Sequence, residues 1–246
     1  MKTEQNGVSI RPLGDSALVI QLGEGISTIL HKKIINLVDL IENDPFDGFI
    51  EVVPSYNNVT IYYDPVTIRL KNSASQFESS FKQVSDRMKD YMERINDNEL
   101  PQKRFIEIPV LYGNEFGPDL EYIATYNKLP SEKVIELHTE KEYLVYMLGF
   151  APGFPFFGGV DKRISTPRKE KPRPAIPAGS VGIAGEQTGV YPIETPGGWQ
   201  VIGRTPVNLF NPELSSPTLL QPGDRVRFTP ITREEYFSYK EKNNEY

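Results

Sequence analysis

The chain contains no cysteine. That excludes disulfide staples, thiolate nucleophiles and cysteine-bound zinc. Histidine occurs only at His31 and His138, without H-x-x-x-H or H-x-x-E-H spacing, so no metal site is expected in this chain. No apolar run reaches the roughly 18 residues that a membrane span needs. The N-terminal MKTEQNGVSIRPLGD is polar and lacks the apolar region of a signal peptide, so a cytoplasmic protein with no membrane role is expected. The net charge of −6 argues against a general nucleic-acid binder, whose footprint is a basic surface. Three nucleotide and nucleophile signatures are also missing: the P-loop, G-x-G-x-x-G and G-x-S-x-G.

What the chain does have is glycine and proline in one place. Residues 149–206 hold 11 of its 19 glycines and 9 of its 21 prolines. Proline fixes φ and removes a donor, whereas glycine allows positive φ and close backbone approach. A flexible linker would be rich in Gly and Ser and poor in large apolar residues. This segment instead interleaves Phe150, Phe154, Phe156, Phe157, Ile176, Val181, Ile183, Tyr191, Ile193 and Trp199. The pattern predicts short strands joined by rigid turns, with loops that shape a pocket.

Periodicity divides the rest. Residues 8–11 and 16–22 read as strands around a Pro-Leu-Gly-Asp turn. Ile26, Ile29, Leu30, Leu37, Val38 and Ile41 recur at helical spacing, so a helix is expected over 27–42, with His31 on its polar, solvated side. Strands are expected at 49–53 and 58–63. Ser75 and Glu78 fit a capping box that opens a second amphipathic helix running to Ile95. A strand at 105–110 completes the order strand, helix, strand, strand, helix, strand, the ferredoxin-like split arrangement. Residues 1–100 are thus expected to form a small α+β domain. In residues 101–246, Asp119 and Ser131 are expected to N-cap short helices at 119–127 and 131–138. Strands at 143–148, 207–210 and 225–229 and a charged tail helix follow. Many short strands with turn signals predict a β-barrel or sandwich.

Chemistry has few places to sit. Residues 161–173 carry six basic and two acidic side chains in an acidic protein. Lys162, Lys169 and Lys171 read as solvated. Arg168 and Arg173 each adjoin a proline, which lowers the entropy cost of aiming a guanidinium at a carboxylate or phosphate. Arg204, between Gly203 and Thr205, reads as a structural ion pair or a substrate clamp. His138 ends a short helix, where the dipole favours a capping imidazole; a pocket role is the alternative. Gln187 and Thr188 offer neutral donors and acceptors in a Gly-flanked stretch, with turn-building as the plain reading. Ser180 has no base near it in sequence. Trp199, the lone tryptophan, reads as packing or as the wall of a ligand site.

Together GFAPGFPFFGG, TPR, RPAIPAGSVGIAGEQTGVYP and TPGGWQVIGRTP resemble the B subunit family of bacterial ATP-dependent 5-oxoprolinase. Its members have also been called allophanate hydrolase subunit 1, sporulation kinase inhibitors and the carboxyltransferase C/D subdomain. The resemblance implies an α+β N-terminal domain and a cyclophilin-like β-barrel C-terminal domain. It also implies partner C and A subunits, and ATP shared with those partners in opening 5-oxoproline to glutamate. Inhibition of a sensor histidine kinase and a carboxyltransferase role are the alternatives it carries. The candidate catalytic residues are Arg168, Arg173 and Arg204. The candidate substrate-binding residues are His138, Phe150, Pro152, Gly153, Phe154, Ser180, Gln187, Thr188 and Trp199.

Overall fold

The computed structural model describes residues 3–5, 7–71, 78–95 and 104–243. The chain divides into two compact units, Met1–Gln102 and Lys103–Tyr246.

In the first unit, β1 (Thr3–Gln5), β2 (Val8–Pro12), β3 (Ala17–Gln21), β4 (Phe49–Pro54) and β5 (Asn58–Tyr63) form one sheet. Its order is β1-β2-β3-β5-β4, with every pairing antiparallel. Val59, Ile61 and Tyr63 alternate inward along β5, the two-residue period of a half-buried strand. They meet α1 (Thr28–Asn43) and α3 (Ser80–Arg94) in a core that includes Leu18, Ile20, Leu37, Ile41 and Met88. A short helix, α2 (Pro65–Lys71), precedes α3.

Four expectations change here. The buried stripe of α1 runs through His31, Ile34, Leu37, Val38 and Ile41, so His31 is a core residue rather than a solvated one. Ile26 and Ile29 are exposed, because the helix starts at Thr28 and its phase is set by the later residues. Helix α3 begins at Ser80 and is capped by Ser79, whose side chain accepts from the Lys82 N–H; Ser75 lies outside the described residues. The strand meant to complete the split arrangement is not in this sheet at all.

That strand is β6 (Phe105–Tyr112), and it belongs to the second unit. There β7 (Glu142–Leu148), β8 (Pro155–Gly158), β10 (Ser180–Ala184), β11 (Gln187–Val190), β13 (Gln200–Arg204) and β14 (Arg225–Pro230) join it. They close a seven-strand barrel in the order β10-β11-β8-β7-β14-β6-β13. Strand β14 runs parallel to β6, from Arg225 beside Phe105 to Pro230 beside Val110. Two further strands, β9 (Arg173–Ile176) and β12 (Thr195–Gly197), pair separately. Residues 207–210 form no strand; Phe210 makes an isolated bridge to Thr218.

Alternation along the barrel strands separates two clusters. Ile108, Val110, Val145, Phe157, Val181, Ile183, Val190, Ile202 and Phe228 point inward. Phe154, Ile176, Ala184, Tyr191, Trp199 and Val201 form a second cluster, with Phe156 packed against it. Helices α4 (Leu120–Asn127) and α5 (Ser131–Thr139) add Leu120, Ile123, Val134 and Leu137 to the inner core. Helix α5 begins at Ser131 with Pro130 in the cap position. The Ser131 hydroxyl donates to Glu121 at 2.9 Å instead of capping. A last helix, α6 (Arg233–Asn243), sets Tyr236 edge-on to Phe116.

Candidate functional site

The second cluster opens into a hollow of about 280 Å³, lined by Phe150, Phe154, Phe156, Arg168, Pro172, Tyr191, Pro196, Gly197, Gly198 and Trp199. Its walls are aromatic edges. Phe154 meets Trp199 edge-on at 5.5 Å between centroids and Tyr191 at 5.1 Å. Edge-to-face rings gain electrostatic energy beyond their buried area and resist collapse into a stack. Glycine makes the room: a Cβ on Gly189 would lie 2.9 Å from the Phe154 ring and 3.0 Å from the Trp199 ring. Phe150 forms the lip. It is largely exposed, and its φ of 69° is uncommon for a bulky residue, so the fold holds it there against local preference.

One charged group faces the hollow. The Arg168 guanidinium lies over the Trp199 ring, 5.9 Å from its centroid, a cation–π arrangement. Tyr191 supplies a phenol whose pKa burial raises, against a hydrogen bond from the Trp199 backbone and the nearby Arg168 and Arg173 charges. The lining residues include no carboxylate, imidazole or serine. This surface can hold a small flat molecule and pair an anionic group, but it brings no base or nucleophile of its own.

The other arginines go elsewhere. Arg173 makes a two-pronged ion pair with Asp119, at 2.7 and 2.8 Å, and Lys169 adds a third contact at 3.0 Å. Asp119 is buried at the start of α4, and its side chain makes no cap bond to that helix. Burial opposes its ionisation, yet bonds from Arg173, Lys169 and the Val201 N–H hold its pKa below 3.8. Arg204 lies over the Phe116 ring at 5.4 Å and reaches Tyr236, away from the hollow's lining.

His138 is not a helix cap. It is fully buried in the barrel, stacked on Phe228 with centroids 4.7 Å apart. Thr188 donates its one hydroxyl proton to the Gly182 carbonyl at 2.9 Å, so it accepts from His138 Nε2, also at 2.9 Å. Nδ1 is then the acceptor for the Tyr112 hydroxyl at 2.8 Å. Burial pushes His138 down to about 3, so the ring is neutral. Ser180 is buried and donates to the Pro177 carbonyl at 2.7 Å. Gln187 is half-buried on β11. Pro152 is exposed, and Gly153, at φ 76°, forms the turn that delivers Phe154. Of the residues singled out in the sequence, the hollow therefore gathers Phe150, Phe154, Arg168 and Trp199. Sequence reasoning missed Tyr191 and the Asp119 clamp; a lone acid at a helix start carries no signal that two cations some fifty residues on will find it.

A larger hollow of about 580 Å³ lies in the first unit, lined in part by Asp47, Glu78, Asp86 and Asp90. Size alone does not recommend it. Asp86 is already paired with Lys82 and Lys89 and Asp47 with Lys71, so much of the hollow's charge is spent on neighbouring lysines. Among the described residues no group of three or more His, Asp or Glu side chains stands where it could hold a metal ion.

Comparison with known proteins adds the family. A family model described as carboxyltransferase domain, subdomain C and D, matches residues 8–220. The 5-oxoprolinase B subunit of Bacillus subtilis is 51% identical over 238 residues, 96% of this chain and 98% of that one. The chain belongs to the 5-oxoprolinase B subunit family. A second member of that family, from Escherichia coli O157:H7, is 42% identical over 89% of this chain and 94% of its own length. Among solved structures, TTHA0988 superposes with a TM-score of 0.74 at 36% identity, over 88% of this chain. The chain spans 40% of that longer protein.

Proposed function

We propose that this chain is the B component of an ATP-dependent 5-oxoprolinase and works with C and A chains to open 5-oxo-L-proline to L-glutamate. The observation that carries the reading is the near full-length, 51% identical match to the Bacillus subtilis protein of that name. The chemistry of the hollow is compatible with it. The substrate is a small ring with one carboxylate; aromatic edges suit the ring, and Arg168 suits the carboxylate. Water breaks the lactam C–N bond, leaving a carboxylate and a free amine.

Two features favour a component over a complete enzyme. The lining lacks a base or nucleophile for attack on an unreactive amide. ATP does not fit this hollow either: a single guanidinium faces it, whereas a triphosphate brings several charges, and the chain has no P-loop. The nucleotide is therefore assigned to the assembly. A cytoplasmic setting follows from the reaction. Among the described residues no helix is long and apolar enough to cross a membrane.

The test is reconstitution. The chain alone should be inactive, and adding folded A and C chains should give ADP release that depends on 5-oxoproline. Absence of turnover by the full assembly, with each chain shown to be folded, rejects the reading.

A further inference from the structure

Arg168 is held by its neighbours rather than by a partner of its own. On one side, the Pro167 carbonyl accepts from Gln200 Nε2 at 3.0 Å. On the other, the Lys169 N–H donates to the Gly198 carbonyl at 2.7 Å. Both pins lie on the segment that carries Trp199. The segment and the loop then meet at one buried carboxylate. Asp119 accepts from Lys169 Nζ, from both Arg173 terminal nitrogens, and from the Val201 N–H at 2.7 Å. The Asp119 N–H in turn donates to the Val201 carbonyl at 2.9 Å. Lys169 and Arg173 are thus committed to Asp119, while Arg168 has no ion-pair partner among the described residues and lies over Trp199.

We propose that Asp119 is a positioning residue: it ties the basic loop to β13, and so holds Arg168 over Trp199 to receive the carboxylate of a small ring in the hollow. A charged, two-pronged contact is directional, so it transmits orientation as well as attraction. The three residues that donate to Asp119 come from two segments, so losing the charge loosens the loop and the strand together. The ligand half of this inference rests on the 5-oxoproline reading; the positioning half does not.

Trp199 is the only tryptophan, so its fluorescence reports this hollow without a label. The full chain is compared with Arg168→Gln, Asp119→Asn and Lys169→Gln. The readouts are emission, acrylamide quenching, and calorimetric titration with 5-oxoproline and with 2-pyrrolidone, which lacks the carboxylate. Asp119→Asn should change Trp199 emission in the same direction as Arg168→Gln. It should also weaken 5-oxoproline binding roughly tenfold or more beyond any loss in 2-pyrrolidone binding. A loss of packing alone would weaken both molecules alike. If far-ultraviolet circular dichroism shows that Asp119→Asn is unfolded, Lys169→Gln decides, because it leaves the Arg173 pair in place. Wild-type Trp199 spectra in the folded variants overturn the proposal. Spectra that shift together in a wild-type background binding neither molecule uphold the positioning and reject the substrate.

Discussion

Phe156 and Phe157 are neighbours in β8, yet they live in different media. Phe157 is fully buried inside the barrel, against Tyr143 and Phe228. Phe156 is half-buried and packs beside Phe154 and Trp199 at the hollow. The same split recurs on β11, where Thr188 bonds inward to His138 and Gly189 leaves room outward for rings. It recurs on β13 with Ile202 and Val201. One strand backbone thus serves a sealed cluster and an open one. The sealed cluster closes its polar groups on each other, from Tyr112 through His138 and Thr188 to the Gly182 carbonyl. The open cluster holds the Arg168 guanidinium over Trp199, with no carboxylate paired to it among the described residues. Closed polar chains build stability, whereas unsatisfied charge beside a hollow builds binding.

Substitutions can break that contrast. The largest effect belongs to Phe157→Ala, which should cost about 3–5 kcal/mol because a fully enclosed ring leaves a cavity. Phe156→Ala should cost about 1–2 kcal/mol, since only part of its area leaves water. Urea unfolding of both proteins gives the difference directly; equal losses would mean that the two clusters are not distinct.

Thr188→Val keeps the shape and removes the acceptor for His138. It should cost about 1–3 kcal/mol, the range for a buried donor left unpaired. Trp199 emission should stay at the wild-type value, because the damage lies on the other face of the sheet.

Acid should act on the sealed side first. Burial lowers His138 to about 3 in the folded barrel from an ordinary 6.5. As pH falls below 6.5 the unfolded chain takes up a proton that the folded chain refuses. Stability is therefore complete above about 6.5 and declines below it, by about 2 kcal/mol at pH 5. Asp119 also favours its deprotonated form in the folded state, there the charged one, and so acts at lower pH. Its lowered pKa adds stability above its ordinary 3.8 and loses it only in stronger acid. Thermal melts between pH 7.5 and 5 should show the decline, and His138→Gln should flatten it. A flat wild-type profile would contradict a neutral, enclosed imidazole.

The smallest effect on stability belongs to Arg168→Gln, an exposed side chain with no ion pair among the described residues, at under about 0.5 kcal/mol. Its cost should appear instead in ligand affinity and in Trp199 emission. A Tm drop comparable with that of Phe157→Ala would make Arg168 a structural residue.

Much of the architecture was legible where local signals were strong. Alternation in residues 58–63 became β5, and the Gly/Pro-rich segment became short barrel strands joined by tight turns. The lip and walls of the hollow lay in the GFAPGFP and GGW motifs. What could not be read was long-range. Residues 105–110 read correctly as a strand, but its partners, β13 and β14, lie about a hundred residues downstream. The phase of α1 was misjudged because Ile26 and Ile29 precede or open the helix, and only contact with the sheet selects its buried face. His138, Asp119 and Arg173 were each visible as candidates, yet their partners were not, since ion pairs and buried relays join residues with no sequence relation.

By itself the sequence determined the rigid turns, the density of aromatic residues and the likeness to one family, because backbone restriction and motif order are written locally. Tertiary structure alone decided that Arg173 is spent on Asp119 while Arg168 lies over Trp199, and which face of each barrel strand meets water. Those outcomes depend on which distant side chain arrives within three ångströms, and a linear pattern does not encode that distance.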